Sequence, residues 1–223
     1  MKSSMLIKVR LFVAALVAAL AMSVQAQVEN RDSLQVSLLT CGPGTEVYEL
    51  FGHTALRVRQ LTPGGFDYVF NYGMFDFNAP AFVWRFTKGE TDYCLGVNDF
   101  RTFLFNYVMR ESRVDEQILN LTPEQSQALF YALLENAQPQ NRVYRYNFLF
   151  DNCATRPRNM VEATLGNRVR YHEPEGELPT FREEIDRYAE RCPWLIFGID
   201  LALGGSLDRP MTYREQMFGP EVL

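Results

Sequence analysis

A thiol and an imidazole can form a nucleophile and base pair, and this 223-residue chain has four cysteines and two histidines from which to form one. Cys153 follows an aromatic segment in the sequence Asp151-Asn152-Cys153. Asp151 or Asn152 can cap a helix that begins here, which would place Cys153 in its first turn, where backbone N–H groups and the helix dipole lower the pKa of a thiol. Cys153 is therefore the favoured nucleophile, and an ordinary buried cysteine is the alternative.

His53 is the favoured base for this nucleophile. It begins a strand-like segment, whereas His172 lies in a polar, loop-like segment and is interpreted as structural. A third group has to fix the tautomer and the orientation of such a base. Asn71, on the strand that follows, could orient the His53 ring, and a purely structural asparagine is an equally good interpretation.

Donors to a developing oxyanion and a rival nucleophile complete the candidates. The backbone N–H of Cys153 is one candidate donor, and Tyr48 is a second. Cys41 ranks second as a nucleophile, because it leads from a strand into a Gly-Pro-Gly turn and no clear helix follows to stabilise a thiolate. No Cys-x-x-Cys pair is present to indicate a zinc or redox motif, and we expect no metal and no cofactor.

Periodic patterns predict an α+β domain around these residues. Segments rich in branched and aromatic residues predict six strands, at residues 34–40, 53–59, 66–72, 93–97, 114–121 and 143–148. The turn at residues 62–65, which contains Pro-Gly-Gly, predicts an antiparallel hairpin between the second and third strands. Strands interspersed irregularly with helices favour an α+β fold over a regular βαβ array.

Helices are predicted from apolar spacing and from caps. Apolar residues at helical spacing after Asp99 predict a helix over residues 100–108 that serves packing rather than a site. The capping box, a threonine followed three residues later by Glu or Gln, predicts three further helix starts: Thr122 with Gln125, Thr180 with Glu183, and Thr212 with Glu215. Pro157 removes a hydrogen bond just past the first turn of the Cys153 helix, so we expect that helix to begin irregularly.

Residues 1 to about 26 have the three parts of a cleavable secretory signal peptide. Basic residues come first, an apolar run at residues 11–22 follows, and Val24-Gln25-Ala26 supplies small residues for cleavage. The apolar run is about 12 residues long, which is short of the roughly 20 that span a bilayer as a helix. We therefore expect export, with residues 27–223 folding as one domain.

The net charge of the chain restricts its binding partners, and its expected export determines whether disulfides can form. The formal net charge is −5, and cleavage of the signal would remove Lys2, Lys8 and Arg10 and leave −8, which disfavours a nucleic-acid partner. Export permits disulfides. If Cys153 stays a free thiol, at most one bridge can form among the remaining cysteines, which are Cys41, Cys94 and Cys192.

The segment at residues 194–203 is a second apolar run. It has ten residues and contains Asp200, so it is too short to cross a membrane. We interpret it as buried structure. A membrane-contacting patch is the alternative, because Trp194 and Phe197 are residue types that favour a membrane interface.

Four sequence blocks contain Cys41, His53, Asn71 and Cys153: residues 38–44 (LLTCGPG), 51–58 (FGHTALRV), 70–73 (FNYG) and 146–158 (YNFLFDNCATRPR). These blocks resemble the N-terminal periplasmic domain of the Bacteroidetes lipoprotein N-acyltransferase family, long known only as a domain of unknown function. The resemblance covers nearly all of residues 27–223, and the blocks around His53 and Cys153 are long and specific.

This resemblance implies a papain-like fold of the NlpC/P60 type with a circularly permuted order, in which the histidine strand precedes the cysteine helix. It implies Cys153 as nucleophile, His53 as base and, more weakly, Asn71 as the third member. The implied reaction is acyl transfer through a Cys153 thioester, from a lipid donor to the N-terminal amine of a lipoprotein. The implied place is the periplasm, at the outer face of the inner membrane.

Two other functions stay open. A hydrolase of the same mechanism would use water as the acceptor and cut cell-wall peptides or amides, as many NlpC/P60 relatives do. A non-catalytic envelope domain would keep the fold, with Cys153 in a disulfide or an inert core. Acyltransferases of this family continue into a C-terminal membrane region, so we expect this sequence to be part of a longer protein or to come from a relative with another substrate.

Overall fold

The computed structural model of the protein describes residues 33–46, 49–75, 80, 85 and 90–223. The expected signal peptide, its cleavage site and Tyr48 lie outside these described residues. All six predicted strands are found: β1 (Leu34–Cys41), β2 (His53–Gln60), β3 (Asp67–Met74), β4 (Asp92–Asp99), β5 (Val114–Ile118) and β6 (Val143–Arg145). The last two end about three residues earlier than the sequence predicts.

The six strands form one antiparallel sheet in the order β5-β1-β2-β3-β4-β6. β2 and β3 are joined by the predicted hairpin turn, in which the Gly65 N–H donates to the Thr62 carbonyl at 2.9 Å. β1 and β2 pair along their whole length, and the ladder ends with Cys41 opposite His53. Because β1 and β3 flank it, β2 is an interior strand, and His53 is its first residue.

Six α-helices are assigned in the described residues: α1 (Phe100–Val108), α2 (Pro123–Asn136), α3 (Thr155–Leu165), α4 (Phe181–Ala189), α5 (Pro193–Leu203) and α6 (Tyr213–Gln216). The three predicted capping boxes are present, at Thr122, Thr180 and Thr212. Asp99 caps α1 by accepting from the Arg101 N–H. Such side chains satisfy N–H groups that have no partner inside the helix, so these helices begin where the sequence predicts. The α+β prediction is confirmed.

Helices cover both faces of the sheet. Side chains alternate along β2, so Leu56 points to one face and Ala55 to the other. The first face packs against Leu129 and Leu133 of α2, and the second packs Ala55 near Phe103 of α1. Burying a side chain such as leucine or phenylalanine stabilises the fold by about 1.5–3 kcal/mol. Burial on both faces therefore holds the strand that carries His53.

A separate apolar cluster joins the segment before α3 to the C-terminal part of the chain. Leu149 is buried with Phe181 of α4 and with Phe218. The side-chain amide of Asn152 donates to the Phe218 carbonyl at 3.0 Å. The C-terminal segment therefore fixes the residues that lead into Cys153.

The prediction that residues 194–203 are buried is wrong. In α5, Trp194 is 87% exposed, Phe197 61% and Leu201 75%. Their spacing places them on one side of the helix, while Ile199 packs on the apolar cluster that includes α4. Hydropathy detects an apolar segment, but it does not tell whether another element covers each face. No described helix, α5 included, is long and apolar enough to cross a membrane.

Candidate active site

The pairing of β2 with β3 brings His53 and Asn71 together. Arg57 is opposite Val69 in this ladder, and alternation then places His53 and Asn71 on the same face. His53 Nε2 donates to Asn71 Oδ1 at 2.5 Å, and Asn71 Nδ2 donates to Met74 Sδ at 3.4 Å. An amide oxygen only accepts hydrogen bonds, so Nε2 carries the imidazole proton and Nδ1 keeps its lone pair.

The imidazole of His53 is held in its neutral form. Burial lowers its pKa below the ordinary value of 6.5, because desolvation penalises the imidazolium. The hydrogen bond to Asn71 acts in the opposite direction, and the nearby charge of Arg110 adds to the lowering of the pKa. At neutral pH, His53 is therefore a neutral base whose free nitrogen is Nδ1.

Cys153 lies in the turn that leads into α3, two residues before the regular helix begins at Thr155. The prediction that Cys153 lies in the first turn of the helix is wrong by this margin. The physical reason is Pro157, which has no N–H to bond the Cys153 carbonyl. The cap itself is made by Asn152, whose Oδ1 accepts from the N–H groups of Ala154 (2.8 Å) and Thr155 (2.9 Å).

Gly73 of β3 marks the place where Cys153 and His53 meet. Gly73 has a φ of +92°, and an ideal Cβ on it would lie 3.5 Å from Cys153 Cβ and 3.8 Å from His53 Cε1. Both side chains therefore border the space that a side chain at position 73 would fill. The structure thus brings together the three residues that the sequence singles out, which are Cys153, His53 and Asn71.

The thiol of Cys153 is not activated in the resting structure. Burial raises its pKa to about 11, and the backbone N–H groups of Thr54 and of Cys153 itself oppose this only in part. The expectation of a lowered pKa is wrong because desolvation outweighs the donors at the start of α3. A neutral thiol therefore lies near a neutral imidazole, and such a pair can react only if the thiol proton moves to the imidazole as the sulfur attacks.

Among the other candidates from the sequence, Cys41 lies opposite His53 in the ladder of β1 and β2. Cys41 is fully buried in the core cluster that includes Phe103, and burial raises its pKa to about 12, so it does not meet a substrate. His172 is exposed on an irregular segment, as predicted. All four cysteines, each of which the structure describes, are free thiols. Within the described ranges, no three His, Cys, Asp or Glu side chains are grouped as a metal ion requires.

Three tyrosines near Cys153 have no sequence signal that links them to it. Tyr93 and Tyr144 are directly opposite in the ladder of β4 and β6, and Tyr146 stacks on Tyr93 with ring centroids 4.1 Å apart. Burial raises the pKa of all three hydroxyls, and negative charge on Cys153 raises it further. Each phenol stays protonated at neutral pH, so the three rings add no negative charge near the thiol.

An open recess lies beside Arg110. It is lined by Thr45, Glu46, Glu49 and Arg110 and has a volume of about 470 Å³. Arg110 pairs with Glu49, and its charge also acts on His53.

Comparison with known protein families finds a match that contains the whole group of candidate residues. The family model described as the Lnb N-terminal periplasmic domain matches residues 23–186. His53, Asn71 and Cys153 lie within this range, and α5 and α6 follow it. No curated protein and no solved structure matches the chain.

Proposed function

The chain belongs to the family of Lnb N-terminal periplasmic domains, and from this premise we propose that it is a periplasmic thiol acyltransferase. Cys153 takes a fatty acyl chain from a lipid donor and passes it to the N-terminal amine of a lipoprotein. One observation carries the proposal: His53, oriented by Asn71, and Cys153 border the same space beside Gly73. A nucleophile, a base and a group that orients the base are the parts that transfer through a thioester needs.

In the first half-reaction, the sulfur of Cys153 attacks the ester carbonyl carbon of the donor. His53 Nδ1 accepts the thiol proton, because Nε2 already carries the hydrogen that it donates to Asn71. The tetrahedral intermediate collapses as the ester carbon–oxygen bond breaks, and the imidazolium returns the proton to the departing alcohol oxygen. The products are the Cys153 thioester and the deacylated lipid.

In the second half-reaction, the lipoprotein amine attacks the thioester carbon. His53 accepts a proton from the amine, the carbon–sulfur bond breaks, and the imidazolium returns the proton to the Cys153 sulfur. An amide is formed and the thiol is regenerated. The buried Tyr93 and Tyr144 near Cys153 support amine over water as the acceptor, because a site that excludes water protects a thioester from hydrolysis.

The backbone around Cys153 supports the same chemistry. We assign the Cys153 N–H, next to the cap made by Asn152, as a donor to the oxyanion of both tetrahedral intermediates. We extend the proposal to a papain-like NlpC/P60 fold with permuted order, because the strand of His53 precedes the turn of Cys153 in the chain. A cleaved signal peptide at residues 1–26 and a single domain over residues 27–223 complete the proposal.

The proposed partners are a lipid acyl donor and a lipoprotein at the outer face of the inner membrane. The exposed side chains of α5, which are Trp194, Phe197 and Leu201, support contact with the bilayer surface. Aromatic rings favour the membrane–water interface, and leucine favours the hydrocarbon below it. Ile199 of α5 packs on the apolar cluster that also contains Leu149, which precedes Cys153 in the chain, so α5 and the Cys153 turn are joined through one cluster.

The test is an acyl adduct on Cys153. Purified protein is incubated with vesicles of a diacyl phosphatidylethanolamine and analysed by intact-protein and peptide mass spectrometry. We expect one fatty acyl group on the Cys153 peptide, and neutral hydroxylamine, which cleaves thioesters, should remove it. Cys153→Ala and His53→Ala are expected to abolish the adduct. Cys192→Ala is the matched control, because Cys192 is also a half-buried free thiol and lies before α5.

Acceptors separate the three candidate functions. A synthetic lipopeptide with a free N-terminal amine should discharge the thioester and gain the acyl group as an amide. Shortened cell-wall peptides with an unchanged lipopeptide would indicate the hydrolase instead. A wild-type protein that forms no adduct and alters neither substrate would identify a non-catalytic envelope domain.

A further inference from the structure

The helix that follows Cys153 lacks the hydrogen bond that would normally hold this residue. In an α-helix the N–H of residue 157 donates to the carbonyl of residue 153. Asn152 receives its bond of this kind, from the Arg156 N–H at 3.1 Å. Residue 157 is a proline and has no N–H. The carbonyl of Cys153 is therefore left for a donor outside the helix.

Thr54 supplies this donor. Its hydroxyl donates to the Cys153 carbonyl at 2.6 Å, between residues 99 positions apart in the sequence. Thr54 is completely buried. A buried carbonyl without a partner destabilises a fold, so the hydroxyl of Thr54 compensates for the N–H that Pro157 lacks.

The position of Thr54 next to His53 gives this bond a chemical role. Consecutive residues of β2 point to opposite faces, so Thr54 reaches the carbonyl of Cys153 while the Cys153 side chain lies beside Gly73, close to His53. The backbone N–H of Thr54 also acts on the thiol itself, where it opposes the rise in its pKa. The hydroxyl of Thr54 thus fixes the backbone of Cys153 relative to His53.

We propose that Thr54 and Pro157 form a clamp that positions Cys153 for proton transfer to His53. Pro157 leaves the Cys153 carbonyl free, and the Thr54 hydroxyl binds it and joins the cysteine turn to the histidine strand. Thr54 does not react and is a positioning residue. The inference rests on the proposed function, because the alignment has a purpose only when Cys153 and His53 react together.

The positioning role is tested with p-nitrophenyl butyrate, which releases p-nitrophenolate in a burst as Cys153 is acylated. Thr54→Val removes the hydroxyl and keeps the shape, and we expect its burst rate to fall about tenfold, in line with one hydrogen bond. Thr54→Ser keeps a hydroxyl and should recover most of the rate. Thr164→Val is the matched control, because the Thr164 hydroxyl also donates to a carbonyl in α3, that of Met160, at 2.9 Å.

The partnership with Pro157 is tested by thermal unfolding. Pro157→Ala restores an N–H that can bond the Cys153 carbonyl inside the helix. Thr54→Val should lower the Tm by about 2–4 °C when Pro157 is present. The shift should be smaller in the Pro157→Ala background, because the carbonyl then has a second donor.

The outcomes separate the clamp from the proposed function. Equal Tm shifts in the two backgrounds overturn the clamp, and so does a Thr54→Ser variant as slow as Thr54→Val. If Thr54→Val and Thr164→Val have equal burst rates, the bond from Thr54 to the Cys153 carbonyl only stabilises the fold. This result overturns the positioning role. If Thr54→Val does not fold, the double variant with Pro157→Ala should fold, and its failure also overturns the clamp. Absence of a burst in the wild type counts against the proposed function instead. The unfolding measurements still test the clamp in that case, because they do not depend on activity.

Discussion

At the residue level, Asn71 provides His53 with a hydrogen-bond acceptor, its amide oxygen, that carries no formal charge. With Asn71 Oδ1 2.5 Å from Nε2, the imidazole holds its proton at Nε2, and Nδ1 is left to take a proton from Cys153. The sulfur of Met74 accepts from the amide nitrogen and so favours this orientation of the amide. A neutral acceptor orients the ring without the strong stabilisation of the imidazolium that a carboxylate would give. Burial therefore dominates, and the pKa of His53 is lowered.

Replacing Asn71 by aspartate should raise the pH below which the burst reaction is lost, which is the acidic limb of its pH–rate profile. In the wild type, the burst with p-nitrophenyl butyrate should be lost only below pH 6.5, because the pKa of His53 lies below that value. In Asn71→Asp the new carboxylate stabilises the imidazolium, so the limb should shift to higher pH by about one unit or more. Asn71→Ala should slow the burst without this shift. Identical limbs in wild type and Asn71→Asp would contradict the assignment of His53 as the base.

Residue types in the sequence are enough to predict the pair of His53 and Cys153. Their pKa values are not predictable from the sequence, because they depend on burial. His53 and Cys153 can be found from the sequence because two histidines leave little choice and because the cysteine follows a capping asparagine. The direction of the Cys153 pKa shift depends on the elements packed around it, which no local pattern encodes. Thr54 also escapes prediction, since its role arises only where β2 meets a helix start that contains Pro157.

At the scale of the element, β3 serves the site by lacking a side chain at Gly73. Its φ of +92° is one that L side chains rarely adopt, and the Cβ of an alanine would occupy the space between Cys153 and His53. Gly73→Ala should lower the free energy of unfolding by about 1–3 kcal/mol. It should also suppress the p-nitrophenolate burst, because the methyl group keeps the thiol from the imidazole.

Gly64 in the turn between β2 and β3 provides the control for this variant. It has a φ of +77°, and no atom of the described residues lies within 4 Å of the Cβ that alanine would add. Gly64→Ala should therefore carry a similar backbone strain and keep the burst. Chemical denaturation measures the first effect and stopped-flow absorbance the second. Equal loss of the burst in both variants would mean that lowered stability, and not the space beside Cys153, explains the Gly73 result.

The exposed face of α5 should bind phospholipid. Replacing Trp194 and Phe197 together with serine should weaken co-sedimentation with phosphatidylethanolamine vesicles at least about tenfold, because each ring that leaves water contributes about 1.5–3 kcal/mol. The Tm should hardly change, since both rings are exposed in the folded protein. Phe105→Ser is the control, because Phe105 is 62% exposed on α1. Equal vesicle binding by all these proteins would exclude the bilayer as the partner of this face.

Helix starts are predictable from the sequence, whereas the surroundings of a helix are not. The boxes at Thr122 and Thr180 act within four residues, so the sequence contains all of the interaction. The exposure of α5 depends on which elements pack beside it, and its apolar composition fits a buried helix equally well. The early ends of β5 and β6 have the same origin, because a strand continues only as far as its partner pairs with it.

At the scale of the whole molecule, the C-terminal segment completes the turn that carries Cys153. Asn152 donates to the Phe218 carbonyl, and Arg158 donates to the Arg214 carbonyl at 2.7 Å. These carbonyls lie beyond residue 186, where the family match ends. The sequence predicts the α6 capping box but not this contact, because backbone carbonyls that bind distant side chains leave no mark in residue type.

The bond between Thr54 and Cys153 also bears on the stage of folding at which the Cys153 thiol comes to lie beside His53. It joins residues 99 positions apart, and contacts of such separation close late in folding because the entropy of a long loop must be overcome first. During synthesis His53 emerges well before Cys153, and the cysteine remains an ordinary thiol with no base beside it. Under the proposed function, the Cys153 thiol and the His53 imidazole are paired only in the finished fold, so an incomplete chain would not take up an acyl group at this site.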